Sequence, residues 1–136
     1  MQVLVDTSVW SLALRRAPEP GGASHVAVAT LRDLIADGRA CMMGPIRQEL
    51  LSGIKSAAQL QSLKEALLGF DDLALVRTDF ELAAEFFNLC RGQGLQGSHT
   101  DFLICAVAST RKLPILTTDK GFLFFAKHLP IRLLEN

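Results

Sequence analysis

The chain has no Cys-x-x-Cys pair, no long apolar run and no surplus of charge of either sign, and each absence removes a class of function. Its three cysteines, Cys41, Cys90 and Cys105, are odd in number and sit inside apolar stretches. Without paired spacing they offer neither a zinc ribbon nor a thioredoxin-type redox site, and they read as buried thiols in a reducing, cytoplasmic setting. No apolar run reaches the roughly 18 residues that cross a bilayer, so no membrane span is expected. A mean hydropathy of +0.27 therefore indicates a well-filled interior. The opening MQVLVDTSVW lacks a basic segment and meets an acid at Asp6, so no secretory signal is expected either. Lys and Arg total 14 against 14 Asp and Glu, which denies the chain a general cationic surface for nucleic acid. His25, His99 and His128 are too scattered for a local metal motif. The first and last are expected at the surface, and His99 as loop decoration two positions before Asp101.

What is present is an alternation of short apolar runs and helical patterns over 136 residues, a length that suits one domain spanning 1–136. Strands are expected at residues 2–5, 40–43, 73–76, 114–116 and 131–134. Residues 17–22 (APEPGG) form a loop. Ser24 is expected to cap a helix carrying Val28, Leu31, Leu34 and Ile35 that stops at Gly38. Pro45 suits the first turn of a helix through Ile46, Glu49, Leu50 and Leu51, and Ser56 opens another that runs to Leu68. Thr78-x-x-Glu81 has the spacing of a capping box before Phe80, Ala83, Ala84, Phe87 and Cys90. Ser98 or Thr100 caps FLICAVAST, which is apolar almost all round and hence buried. A short helix covers residues 122–126. With no hairpin turn before the C-terminus, the pattern predicts an α/β fold with three layers, α/β/α, around a mostly parallel sheet.

Ligands of parallel α/β sheets gather beyond the carboxyl ends of the strands. Asp6 follows the first strand and Asp119 follows LTT at the end of the fourth, so both carboxylates belong to one edge. Asp101 shares a helical face with Ile104, Cys105 and Ala108. An inward acid there carries a desolvation cost of several kcal/mol, and a helix N-terminus offsets only about 0.3–1 kcal/mol. Glu49 lies one turn after Ile46 and one turn before Gly53, whose small size would let a ligand approach. Each acid alone has a plain structural role as a cap, a turn former or an ion-pair partner of Arg47 or Lys55. The set of four with no histidine or thiolate points to a carboxylate site for Mg2+ or Mn2+. Such sites serve phosphoryl transfer and phosphodiester hydrolysis.

VLVDTSVW, PIRQELLSG, SHTDFLICAVA and PILTTDKGF, in that order and spacing, resemble the motifs of the PIN-domain ribonucleases. Within them the chain is most similar to the VapC-type toxins of bacterial toxin–antitoxin pairs, and the likeness spans essentially the whole sequence. The resemblance implies a PIN-like α/β/α domain that binds one or two Mg2+ or Mn2+ ions and hydrolyses single-stranded RNA. It assigns the acidic roles to Asp6, Glu49, Asp101 and Asp119, with Asp6 and Asp101 as principal metal ligands. Glu49 and Asp119 would complete the site or position the attacking water. Thr7, Ser8 and Thr118 fall where relatives place hydroxyls that hold the acids. It further implies a homodimer and a small VapB-like antitoxin whose tail covers the acidic pocket. Many relatives carry a further acid where this chain has Gly121, which favours one ion over two.

Gly92-Gln93-Gly94-Leu95-Gln96-Gly97 matches G-x-G-x-x-G literally but follows a helix, so it is expected to be a helix-ending loop and not a dinucleotide site. The competing reading is a non-catalytic PIN-like module that binds RNA or protein; a phosphatase or DNA nuclease is a third. Setting aside the four acids leaves ten against fourteen bases, among them Arg15, Arg16, Arg111, Lys112 and Lys120. Neutrality is thus the sum of an acidic pit and a mildly basic remainder.

Overall fold

The structure is a computed structural model that describes residues 1–15 and 21–135. Three parallel strands, β1 (Val3–Val5), β2 (Ala40–Cys41) and β3 (Ile115–Leu116), form a sheet in the order β2-β1-β3. Val3 lies opposite Ala40, and Leu4 and Val5 lie opposite Ile115 and Leu116. Every β1 residue is fully buried, as expected for a central strand covered on both faces.

Two helices, α1 (Thr7–Leu14) and α2 (Ala23–Ala36), connect β1 to β2, and α3 (Gly44–Leu51), α4 (Ala57–Leu67), α5 (Arg77–Gly92) and α6 (His99–Arg111) connect β2 to β3. The first connection moves one way across the sheet and the second moves back. α1 packs on α2 and α3, and α3 on α4, so the second connection begins against the first, while α5 pairs with α6. Phe102 of α6 meets Phe125 of α7 (Gly121–Phe125) at a ring separation of 4.8 Å. The expected α/β architecture with a parallel sheet is present.

Several elements differ locally, each for an identifiable reason. The strand expected at 73–76 shrinks to a parallel bridge between Met42 and Asp72, extended by the Leu73 N–H on the Met42 carbonyl at 2.9 Å. Beyond it, side chains take the ladder groups: Asp79 accepts from the Val76 N–H, and Arg111 donates to the Ala74 carbonyl. Asp79 therefore caps α5 from inside its first turn, and Thr78, expected to be the cap, lies within the helix. The last strand reduces to a parallel bridge from Leu133 to Ile115, because β3 is only two residues long. At α2 the cap is Gly22, and Ser24 is already helical. Most of the 17–22 loop, and Arg16, fall outside the described residues. Other expectations hold. Pro45 sits in the first turn of α3, Ser56 accepts from the Gln59 N–H, and α6 is buried from Phe102 to Ala108. Gly92 ends α5 and Gly94 has φ 77°, so the glycine-rich run is a helix-ending loop. Trp10, Phe122 and Phe125 belong to the core.

Two ion pairs, of which only the second involves a buried acid, tie the helices down. Arg47 of α3 grips Asp72 at 3.0 Å and the carbonyls of Leu67 and Phe70. Arg111 at the end of α6 meets both carboxylate oxygens of Asp79 at 3.1 Å, and Asp79 is only 2% exposed. This guanidinium holds the Asp79 carboxyl below its ordinary range. Removing one partner of such a pair strands the other charge. Arg111→Met is expected to cost roughly 3 kcal/mol in urea unfolding at neutral pH. Because the folded pKa of Asp79 is lowered, the stabilisation is present above the unfolded value and fades as pH falls through the folded one. The gap between the two proteins should therefore narrow in acid; a gap that stays constant to low pH would contradict this account.

Candidate active site

The edge of the sheet beyond the strand C-termini gathers the acids. Asp6 follows β1, and its N–H reaches the Leu116 carbonyl at 2.9 Å, so the β1–β3 register sets its position. Its own carbonyl accepts the first N–H groups of α1, which makes it the residue at which strand becomes helix. The carboxylate is 4% exposed, and its Oδ2 accepts from Ser8 Oγ at 2.7 Å and Thr117 Oγ1 at 2.8 Å.

Those hydroxyls are themselves fixed. Ser8 Oγ accepts the Thr118 N–H at 3.1 Å, and Thr117 Oγ1 accepts the Asp119 N–H at 2.9 Å. The hydroxyl that reaches Asp6 from the β3 side is thus Thr117's, while Thr118 contributes its backbone. Thr117 was passed over on sequence; a hydroxyl two residues before an acid at a strand end is the signal that marks it, through its local turn hydrogen bond. Asp119 is exposed, and its Oδ1 accepts the Gly121 N–H at 2.9 Å. A Cβ on Gly121 would stand 3.2 Å from that same oxygen, so the glycine lets its backbone approach Asp119 closely.

Asp101 occupies the first turn of α6, where Ser98 Oγ accepts its N–H and its Oδ2 accepts the Ser98 N–H, both at 3.0 Å. This reciprocal cap is the capping box in its Asp form. Gly97 just before it is required by packing: a Cβ there would lie 2.7 Å from the Phe125 ring. Glu49 is exposed on α3 and accepts from Thr7 Oγ1 at 2.7 Å. An open groove lined by Thr7, Gln48, Glu49, Ser52 and Thr100 carries it towards Asp101, the neighbour of Thr100. Neither Arg47 nor Lys55 pairs with Glu49. Gly53 owes its place to backbone conformation, with φ 84° and open space around it, and not to a closely approaching group.

Asp6 and Asp101 feel the charge of the acids around them. Burial, above all, raises the carboxyl pKa of Asp6 and of Asp101; Asp119 adds to the first, and Asp6 with Asp119 to the second. The Ser8 and Thr117 hydroxyls oppose the rise at Asp6, and the Ser98 backbone opposes it at Asp101. Cys105, fully buried one turn below Asp101, has its thiol pushed far up by burial, so it stays protonated. The donors are therefore hard oxygens, which suit Mg2+ or Mn2+. Among the described residues, no three His, Cys, Asp or Glu side chains converge tightly enough to grip one ion between them. That arrangement fits an ion that keeps several of its waters, as Mg2+ does, and takes one or two carboxylates directly.

The family profile described as PIN domain matches residues 3–127. The chain belongs to the PIN-domain family. The fold agrees with two solved structures. FitAcB from Neisseria gonorrhoeae superposes with a TM-score of 0.72 at 23% identity, covering 98% of this chain and 97% of that one. VapBC2 from Rickettsia felis, bound to a DNA fragment from their promoter, gives 0.73 at 18% identity, covering 100% and 98%. No curated protein matches the sequence. Among the described residues of this PIN domain, no helix is long and apolar enough to cross a membrane.

The raised carboxyls make a stability prediction. A carboxyl whose folded pKa exceeds its unfolded one binds its proton more tightly when folded, so stability falls as pH rises from the unfolded value through the folded one. At pH 7 with chelator, Asp101→Asn, whose amide oxygen still accepts from Ser98, is expected to melt a few degrees higher than the wild type. An unchanged or lower melting temperature would mean that the charge is not a burden to the fold.

Proposed function

We propose that this PIN domain is a Mg2+- or Mn2+-dependent endoribonuclease, the VapC-type toxin of a cytoplasmic toxin–antitoxin pair. The observation that supports the reading is the meeting of Asp6, Asp101 and Asp119 at one sheet edge, where the charge of Asp119 bears on Asp6 and the charges of Asp6 and Asp119 bear on Asp101. Folding alone does not favour that arrangement, since burial and neighbouring charge oppose the ionised forms of Asp6 and Asp101. When bound, the cation supplies Lewis-acid activation of water and neutralises charge on the scissile phosphate. Asp6 and Asp101 are the residues that would hold it. Asp119, whose charge bears on both, and Glu49, held by Thr7, would orient a water by hydrogen bonding and receive its proton. Thr7 fixes Glu49, while Ser8 and Thr117 fix Asp6.

Two partners belong to the proposal. The likeness to VapBC2 and FitAcB supports a small VapB-like antitoxin that covers the acidic edge. An apolar groove of about 490 Å³ between α5 and α6, lined by Phe80, Ala83, Phe87 and Leu103, supports pairing with a second copy. Phe80 and Val76 beside it are 53% and 57% exposed, which is costly to leave in water.

The deciding experiment incubates purified protein with a mixed RNA pool and Mg2+ or Mn2+, and maps new 5′ ends. Cleavage is expected, with a loss of at least about a hundredfold in Asp6→Asn and in Asp101→Asn, both folded. A wild type that cuts no RNA in either metal would make the chain a binding module; cutting that survives both substitutions would remove the acids from the chemistry.

A further inference from the structure

The short helix after Asp119 carries an exposed face that neither the core nor the acidic edge uses. Phe122 and Phe125 of α7 are buried, and Phe125 packs on Phe102 of α6, so the helix is anchored by one side. Its other side turns Leu123 and Phe124 to solvent, 57% and 49% exposed. Lys120 at its start and Lys127 in the turn that ends it lie one helical turn to either side, on the same face. Lys127 Nζ sits 5.2 Å from the centre of the Phe124 ring. Among the described residues neither lysine has an ion-pair partner, and the chain carries no acid from Lys120 to Arg132.

This face begins where the acidic edge ends. Asp119 accepts the Gly121 N–H on its Oδ1 at 2.9 Å and the Phe122 N–H on its carbonyl at 3.2 Å, which ties α7 to that acid. Phe124 lies about 6 Å along the helix from Lys120, a span of about two stacked nucleotides. We propose that the outer face of α7 is the platform that holds single-stranded RNA beside the acidic edge: Phe124 stacks on an unpaired base, and Lys120 and Lys127 bind the flanking phosphates. The proposal rests on the nuclease reading of the site and names where the substrate lies beyond it.

An exposed ring between two cations has the chemistry of single-strand binding. Every base has a π-face, so an aromatic side chain accepts any unpaired base, while ammonium groups neutralise the backbone. Lys127 attends one face of the Phe124 ring, and a base needs only the other. A second copy of the chain is the poorer occupant. Two-fold pairing of this face would set lysine against lysine with no acid between them. A polyanion instead meets both charges favourably.

The test is fluorescence anisotropy of a labelled, mixed-sequence single-stranded RNA oligonucleotide titrated with the full chain in chelator, so that binding is read apart from metal-dependent cleavage. Phe124→Ala should weaken binding about tenfold, while Phe124→Trp keeps the affinity and shows quenching of the new indole by the stacked base. Lys120→Gln and Lys127→Gln should each lower the slope of log affinity against log salt by about 0.7. A duplex of the same sequence should compete only at much higher concentration, because its bases are already paired. Circular dichroism establishes folding, and if Phe124→Ala does not fold, the two lysine slopes decide. A wild type that binds no RNA, equal competition by the duplex, or unchanged affinity and slope in the folded variants overturns the inference and leaves the nuclease reading standing. Phe124→Ala that keeps its RNA affinity but sediments as a smaller species makes the face an interface between copies and overturns it as well.

Discussion

A carboxylate buried at the end of the central strand is the constraint around which this molecule is organised. Asp6 terminates β1, receives the β1–β3 ladder on its N–H and begins α1 with its carbonyl, so its side chain has no freedom to leave the edge. Burying it is unfavourable by several kcal/mol unless donors reach it. Ser8 and Thr117 supply them, and both are held in turn by backbone groups of the segment after β3. The strand order β2-β1-β3 is what brings these together, because the first and last thirds of the sequence become neighbours only through that pairing. The site is therefore a consequence of sheet register. A slip of one residue would turn Asp6 towards the other face and separate it from Thr117.

The architecture was legible in the sequence wherever one physical cause dominated. Runs such as VLV and PIL, bounded by polar residues, declared central strands because full burial leaves them no alternative to being apolar. The uniformly apolar FLICAVA declared a buried helix for the same reason. Legibility failed where long-range contacts compete with local pattern. Residues 73–76 have strand-like chemistry, yet Arg111, thirty-seven positions from Ala74, takes the carbonyl that pairing would use. The same guanidinium draws Asp79 inward and so moves the cap of α5 from Thr78 to Asp79. No window of sequence around residue 76 contains that arginine.

The acids followed the same division. Asp6 and Asp119 were found from their positions at strand ends, and Asp101 from an inward helical face, all local signals. Which hydroxyl supports them was not local: Thr117 and Thr118 are chemically alike, and only the direction of the chain after β3 distinguishes them. Thr117 reaches Asp6 Oδ2 through its hydroxyl, whereas Thr118 meets Ser8 Oγ through its backbone N–H. Gly97 and Gly121 are a second kind of information carried by absence. A Cβ at Gly97 would collide with the Phe125 ring, and one at Gly121 would crowd the Asp119 carboxylate.

Charge is where site and surface become one problem. Arg47 and Arg111 are consumed inside the fold by Asp72 and Asp79, but each pairing removes one base and one acid, so the basic excess outside the four site acids survives. That excess draws a polyanion to the protein while the acidic edge repels it. On the nuclease reading the two tendencies are reconciled only by a divalent cation at the edge, which turns the most repulsive part of the surface into an attractive one. Cation and phosphate then bind cooperatively, since each lowers the electrostatic cost of the other.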